Sequence, residues 1–250
     1  MREARGIDRQ TLEDGIDAAL GLEAVEGPFR GYARRASRET LGKLRCDQRF
    51  QESCRRALHQ LIQGPHDQGV VGILSPQRGE GRSTVAAAMA SSLQHSYGDP
   101  VALLDLDFEK QDLSTLFGVD PVPGLADYLE DRKPLRLVAG GAGRRLCLIP
   151  AGRAEGERAA LYRGLVERNL LGTLGARFRW IVIDLPPLLV EPAGAWLAPM
   201  ARWQVVVGRY RRTTLSDLEE LADMVGIGEK AGFLLTGDTS RIPGAIRRLI

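Results

Sequence analysis

The 250-residue chain is 44% hydrophobic and 26% charged, which is enough apolar material to bury one sizeable core. Its 34 basic and 32 acidic side chains leave a net charge of +2, so nothing in the overall charge requires nucleic acid or an anionic membrane as a partner. The three cysteines are too few and too scattered for a disulfide framework or a zinc site, and no stretch approaches the ~20 apolar residues that cross a bilayer. We therefore expect a cytoplasmic protein with one domain.

The composition divides the chain into three parts. Residues 1–47 are polar, carry scattered glycines and lack a long apolar period, which predicts a flexible N-terminal extension. The domain is expected over residues 48–240. Residues 241–250 form a basic tail in which apolar residues recur near helical spacing. Docking on an anionic surface or a partner would explain this tail, and a frayed terminus or a helix packed on the core explains it equally well.

The first predicted element is a helix from Phe50 to Ile62, where apolar residues recur at helical spacing before Gly64-Pro65 ends the run. Six short apolar runs follow, of the kind that is buried on both faces of a parallel sheet. They cover residues 70–74, 101–104, 146–149, 180–183, 204–207 and 232–235. Helical patterns lie between them at 84–95, 157–174 and 214–225. This alternation predicts a three-layer α/β domain with a mostly parallel sheet flanked by helices.

The segment after the first predicted strand reads SPQRGEGRST and precedes a helical pattern, which is the context of a phosphate-binding loop. Gly79 and Gly81 would let backbone N–H groups approach phosphate oxygens, and the dipole of the following helix would favour an anion. Ser83 is placed to give its hydroxyl to Mg²⁺. Arg82 stands where nucleotide hydrolases have lysine, and a glycine turn that only starts a helix is the structural alternative.

Two further strand ends carry carboxylates. Asp105 could hold the water shell of Mg²⁺ or act as a base for an attacking hydroxyl, with Asp107 in support. Asp184 ends a later strand and matches a Walker B aspartate, which orients magnesium. Taken alone, Asp105 and Asp107 could be solvated turn residues. Because function in such sheets collects beyond the carboxyl ends of the strands, the three signatures together predict one magnesium phosphate site.

The segments at 75–84, 103–107 (LLDLD) and 181–187 (IVIDLPP) together resemble the cytoplasmic ATPase domain of the bacterial tyrosine kinases (BY-kinases) that regulate capsule and exopolysaccharide synthesis. These kinases belong to the deviant Walker A group, which includes the ParA and MinD ATPases. The resemblance covers about residues 50–237. ParA and MinD carry a signature lysine where this chain has Gln77, which favours the polysaccharide branch.

The resemblance implies a P-loop NTPase fold and a site for ATP with Mg²⁺. The implied nucleotide-binding residues are Gly79, Glu80, Gly81, Arg82, Ser83 and Thr84. The implied metal ligands are Ser83, Asp105 and Asp184, and the implied catalytic residues are Arg82, Asp105 and Asp107.

Partners are implied as well. BY-kinases are switched on by a cytoplasmic segment of a membrane-spanning polysaccharide co-polymerase or chain-length determinant protein, so this chain would act in the cytoplasm or be held at the inner membrane through that partner. No nucleic acid is expected. In the family a Glu-x-x-Arg-x-x-Arg helix joins subunits into rings. Here Glu52 and Arg55 share a helical face but Leu58 takes the third position, so self-association and a simple amphipathic cover on the core both stay open.

Three departures from the family concern activity and base recognition. Family members are phosphorylated on a C-terminal tyrosine cluster, but no tyrosine follows Tyr210, so tail autophosphorylation is not expected. Glu109-Lys110 stands where an arginine usually follows the paired aspartates. Thr236 takes the place of an asparagine that often contacts the adenine.

Arg82 is the departure with the most weight. Its forked guanidinium can bind ground-state phosphate yet miss the charge that develops on transfer, or it can contact a carboxylate such as Glu80 or Asp107. Two hypotheses follow. The chain is a working ATP-dependent kinase or ATPase coupled to polysaccharide assembly, or it is a catalytically weak or inactive regulator that senses nucleotide. A ParA- or MinD-type positioning ATPase is the less favoured third.

Overall fold

The computed structural model describes residues 23–25, 48–62, 68–140, 145–227 and 230–237. Of the predicted N-terminal extension, residues 23–25 are described. The predicted basic tail at 241–250 lies outside the described residues.

One eight-stranded sheet forms the centre of the described structure. Its strands are β1 (Glu23–Val25), β2 (Gly69–Ser75), β3 (Val101–Asp105), β4 (Arg136–Gly140), β5 (Leu146–Ile149), β6 (Trp180–Pro187), β7 (Trp203–Arg209) and β8 (Ala231–Thr236). Their spatial order is β1-β4-β5-β3-β6-β2-β7-β8, and neighbours are parallel except for the antiparallel pair β4 and β5. The six strands predicted from apolar runs are confirmed as β2, β3 and β5 to β8.

Helices cover both faces of the sheet. They are α1 (Gln48–Leu61), α2 (Arg82–Tyr97), α3 (Asp112–Phe117), α4 (Leu125–Leu129), α5 (Arg158–Glu167), α6 (Leu170–Gly175), a 3-10 helix (Pro192–Met200) and α7 (Leu215–Val225). Alternate residues of β2 face opposite layers: Val71 and Ile73 pack with α1, α2 and α3, whereas Leu74 packs with the layer that holds α5 and α6. The predicted three-layer architecture, which is that of a P-loop NTPase, is confirmed.

The central strands are apolar because both of their faces are covered. Every residue of β3 and of β6 is buried. Trp180 is the first residue of β6 and Trp203 is the first residue of β7. Their rings pack together with centroids 5.6 Å apart, so aromatic side chains cover the amino ends of these strands. Polar residues are concentrated at the opposite, carboxyl ends, where the candidate site lies.

The first helix, α1, is an amphipathic cover on the core. Its residues Cys54 and Leu58 are buried, and the helix packs on α2. Glu52 is paired within its own helix, since it accepts hydrogen bonds from Arg55 at 2.5 Å and from Arg56 at 3.1 Å. Self-association through Glu52 and Arg55 stays a prediction.

The edge strand β1 and its neighbour β4 were not predicted. β1 has three residues and pairs with β4, which in turn runs antiparallel to β5. Neither strand contains an apolar run long enough to stand out from its surroundings, since β1 reads EAV and β4 reads RLVAG.

The helix predicted over 157–174 is two helices. Asn169 lies between α5 and α6 with φ 48°, in the left-handed region, immediately after the helix-ending residue Arg168. Asparagine is one of the few residues that adopt this conformation at the end of a helix. The apolar period does not reveal the break because Leu165 and Leu170 on either side of it are buried in the same core.

This geometry predicts how stability responds at Asn169, an exposed position. We expect Asn169→Ala to lower the free energy of unfolding by about 1 kcal/mol relative to Asn169→Gly, because alanine is strained at this φ and glycine is not. Urea unfolding followed by circular dichroism measures both variants. Equal stability of the two would contradict the assignment of a left-handed residue here.

Candidate functional site

Three neighbouring strands end at the same edge of the sheet. β3, β6 and β2 lie side by side, and the parallel register pairs Asp105 of β3 with Asp184 of β6. On its other side Asp184 pairs with Ile73 of β2, whose strand leads into the glycine-bearing loop. The sheet therefore brings the strand-end carboxylates next to the predicted phosphate-binding loop.

The loop between β2 and α2 turns at two glycines. Gly79 has φ 73° and Gly81 has φ 89°, and the 16-residue helix α2 begins at Arg82. Side chains are strained at such φ values, and glycine there lets the backbone approach a ligand closely. The N–H groups of the first helical turn, which includes Ser83 and Thr84, lack carbonyl partners within the helix and favour an anion. The loop thus has the form that phosphate binding needs.

Glu80 holds this loop in place. Its side chain is buried; Oε2 accepts a hydrogen bond from the Gln77 N–H at 2.8 Å, and Oε1 accepts one from the Thr213 hydroxyl. The Thr236 hydroxyl donates to the Glu80 carbonyl oxygen. The carboxylate of Glu80 is therefore a support of the loop, and its predicted part in nucleotide binding rests on its backbone N–H. Thr236 lies against the loop as a second support.

The side chain of Arg82 extends toward the strand ends. Nε donates to Asp184 Oδ1 at 2.8 Å, and Nη2 donates to Asp107 Oδ2 at 2.9 Å. Nη1 donates to the Ser75 hydroxyl at 3.0 Å, and the side chain is 7% exposed. Of the two alternatives for Arg82, contact with a carboxylate is the one observed. Asp107 was among the partners that the sequence suggested, and Asp184 was not.

Burial and the neighbouring charges shift the pKa values of the side chains in this cluster. Burial and the neighbouring Asp184 carboxylate raise the pKa of Asp105 well above the ordinary value for an aspartate. Burial also raises the pKa of Asp184, although the Arg82 cation and a hydrogen bond from Ser83 oppose the rise. Burial acts to lower the pKa of Arg82, but Asp184 and Asp107 outweigh it and the pKa is raised, so the guanidinium stays charged.

The predicted magnesium ligands Ser83, Asp105 and Asp184 lie together, yet the arrangement as it stands does not fit the ion. Mg²⁺ needs near-octahedral oxygen ligands at about 2.0–2.1 Å, and Oδ1 of Asp184 is bound by a guanidinium. Among the described residues, Oδ2 of Asp105 and Oδ2 of Asp184 are buried without a hydrogen-bond partner. Within the same residues, no group of three or more His, Cys, Asp or Glu is arranged to hold a metal. The ligand set stays a prediction.

A cavity of about 290 Å³ is lined by the loop. Its walls include residues 79–84, which are all of the predicted nucleotide-binding residues, together with Asp107. Two basic residues that sequence reasoning did not assign to the site, Arg78 and Lys110, also line it, as does Thr115 of α3. The position of Lys110, three residues after Asp107 in the loop that follows β3, is the signal that could have identified it.

Ion pairs connect the loop to the segments around it. Arg78 Nη2 lies 2.5 Å from Glu109 Oε2, and Arg158 Nη1 lies 2.9 Å from the same oxygen. Arg158 Nε in turn lies 2.7 Å from Glu191 Oε1. The two pairs made by Glu109, which is 44% exposed, are screened by water and contribute about 0–1 kcal/mol each. Their main effect is to position Arg78 and Glu109.

Comparison with known proteins identifies the family to which this chain belongs. The family described as cellulose biosynthesis protein BcsQ matches residues 69–210, which is more than half of the chain. The tyrosine-protein kinase ptk of Acinetobacter johnsonii is 26% identical over 168 residues, which make up 67% of this chain and 23% of that protein. The chain thus spans less than a quarter of the length of this relative.

Solved structures share the fold. The kinase domain of the Escherichia coli tyrosine kinase ETK superposes with a TM-score of 0.64 at 18% identity, covering 77% of each chain. Cobyrinic acid a,c-diamide synthase from Mycobacterium smegmatis, solved with a bound ATP analog and magnesium, superposes with a TM-score of 0.52 at 22% identity over 73% of this chain and 80% of that one. No helix in the described ranges is long and apolar enough to cross a membrane. From its sequence match and its phosphate loop, the chain belongs to the cellulose biosynthesis protein BcsQ family, and it resembles the bacterial tyrosine kinases of capsule and exopolysaccharide synthesis.

Proposed function

We propose that this chain binds a nucleotide and thereby regulates exopolysaccharide or capsule synthesis and export through a membrane co-polymerase, with little phosphoryl transfer of its own. The cellulose-biosynthesis family and the tyrosine-kinase relative support a role in polysaccharide production. The chain spans less than a quarter of that relative. The pathway and the partner are therefore part of our proposal and do not follow from the comparison.

Nucleotide binding is supported by the shape and charge of the loop. Gly79 and Gly81 leave backbone N–H groups accessible at the start of α2, and Arg78 and Lys110 line the adjoining cavity. Such a loop binds phosphate through fixed N–H dipoles, whatever the chemistry that follows. ATP is the proposed nucleotide, in keeping with the ATP analog held by the cobyrinic acid a,c-diamide synthase of the same fold.

The engagement of Arg82 is the observation that carries the proposal of weak catalysis. Phosphoryl transfer needs a cation that follows the charge developing on the transferred group. All three guanidinium nitrogens of Arg82 donate to protein oxygens. The same contacts occupy Asp107, whose Oδ2 accepts a hydrogen bond from Arg82 Nη2. Two of the three predicted catalytic residues, Arg82 and Asp107, are therefore engaged with each other rather than free to act on a transferred phosphoryl group.

The proposed partner is a membrane polysaccharide co-polymerase or chain-length determinant protein, which would hold a cytoplasmic chain at the inner membrane. Self-association through α1 is part of the same proposal. Because Glu52 is already paired with Arg55 and Arg56 of its own helix, contacts between subunits would have to compete with these pairs.

Lys110 offers a test of nucleotide binding. We expect a fluorescent ATP analog to bind the protein, and Lys110→Gln to weaken this binding about fivefold, because one exposed cation at the phosphates is worth about 1 kcal/mol. Lys133→Gln removes an exposed lysine that does not line the cavity and should leave the affinity unchanged. Failure of the wild-type protein to bind the analog would overturn the proposed function.

Phosphate release from ATP separates the regulator from the working enzyme. Kinases turn over at about 1–100 s⁻¹, and loss of one donor to the developing charge costs about 10²–10³ in rate. Starting from about 10 s⁻¹, the middle of that range, such a loss leaves about 0.01–0.1 s⁻¹, so we expect the purified protein to release phosphate no faster than about 0.1 s⁻¹ even at saturating ATP. Turnover near 1 s⁻¹ in the same assay would establish the enzyme instead.

A further inference from the structure

A cation already lies between the carboxylates of the strand ends. The Arg82 guanidinium lies 2.9 Å from Asp107 Oδ2 and 2.8 Å from Asp184 Oδ1. The three side chains are 7%, 5% and 0% exposed, so water screens their charges little. Oδ2 of Asp107 and Oδ1 of Asp184 are therefore already bound by a positive charge.

The contacts of Arg82 also fix the guanidinium in direction. Its third bond goes to the Ser75 hydroxyl, so the planar fork joins β2, the segment after β3, and β6. A divalent cation would need the two carboxylate oxygens that now accept hydrogen bonds from Arg82, and it could bind them only after those hydrogen bonds were broken. It would also lie within a few ångströms of the permanent positive charge of Arg82, which these contacts hold at the carboxylates.

We infer that Arg82 takes the place of a divalent cation between Asp107 and Asp184, so that the site binds a nucleoside di- or triphosphate without Mg²⁺. The nucleotide in this inference rests on the proposed function. The replacement of the metal rests on the contacts of Arg82 alone, so the two parts can fail separately.

Basic side chains around the loop supply charge for a metal-free polyphosphate. Arg209 Nη1 donates to the Gly79 carbonyl oxygen at 2.7 Å, and a Cβ placed on Gly79 would lie 3.1 Å from Arg212 Nη1. Lys110 and Arg78 line the cavity itself. Four cationic groups therefore lie near the phosphate cradle, and none of the four is bound to the buried carboxylates.

The first experiment uses Mn²⁺ as the probe for a divalent cation and needs no nucleotide. Electron paramagnetic resonance counts Mn²⁺ bound to the wild-type protein, to Arg82→Gln, and to Arg163→Gln, which removes an exposed arginine on α5. We expect no saturable site in the wild type or in Arg163→Gln. We expect one saturable site in Arg82→Gln, with an affinity at least about tenfold above the weak, non-saturating binding of Mn²⁺ to the wild type.

Saturable binding of Mn²⁺ by the wild type with the affinity of Arg82→Gln would overturn the replacement of the metal. The same conclusion would follow if a folded Arg82→Gln gained no site. Should Arg82→Gln fail to fold, the wild-type titration decides, because the inference forbids a saturable site there.

The second experiment measures a fluorescent ADP analog binding to the wild type in EDTA and in excess Mg²⁺. We expect the two affinities to agree within about twofold, since the protein supplies the cation. A loss of about tenfold or more in EDTA would overturn metal-free binding. Absence of binding in both buffers would overturn the proposed function and the nucleotide half of the inference, while the Mn²⁺ titration would still decide the role of Arg82.

Discussion

A guanidinium buried among carboxylates constrains how this sheet edge can be built. Removing a charge from water costs several kcal/mol per ion, and the cost is offset only where geometry is good and the hydrogen bonds are made. Arg82 meets this condition through acceptors on three different segments: Ser75, Asp107 and Asp184. Loss of one partner from a buried pair costs about 3–5 kcal/mol. The register of the strands and the start of α2 are therefore tied to the same set of contacts.

The phosphate loop is fixed from its other side by neutral and anionic groups. Glu80 receives hydrogen bonds from Gln77 and Thr213, and the Thr236 hydroxyl donates to the backbone of Glu80. Gln77 also donates to Asp217, which closes the capping box of α7. The loop is thus held open by protein contacts before any ligand arrives. A preorganised cradle of this kind lowers the cost of binding an anion, but it provides no charge that moves with a transferred phosphoryl group.

Local signals in the sequence were enough for the central strands and for their common edge. Buried parallel strands appear in the sequence as apolar runs, so the central strands could be predicted. Asp105 and Asp184 stand directly at strand ends, so their position beside the phosphate-binding loop could be predicted as well. The contact between Arg82 and Asp184 spans 102 positions and depends on how α2 is aimed, which no local pattern contains. For the same reason, no local pattern in the sequence indicated that Glu80 is buried. The prediction of a single helix over 157–174 was wrong for a different reason. One residue in the left-handed region, Asn169, redirects the helix without changing the spacing of the apolar residues.

The most direct test of this account is a crystal structure of the wild-type protein grown with ADP and Mn²⁺, with anomalous diffraction recorded for manganese. The account predicts density for the Arg82 guanidinium on Asp107 and Asp184, phosphates on the N–H groups of the loop, and no anomalous peak at the carboxylates. A manganese peak between Asp105 and Asp184, with Arg82 turned away toward the phosphates, would contradict it.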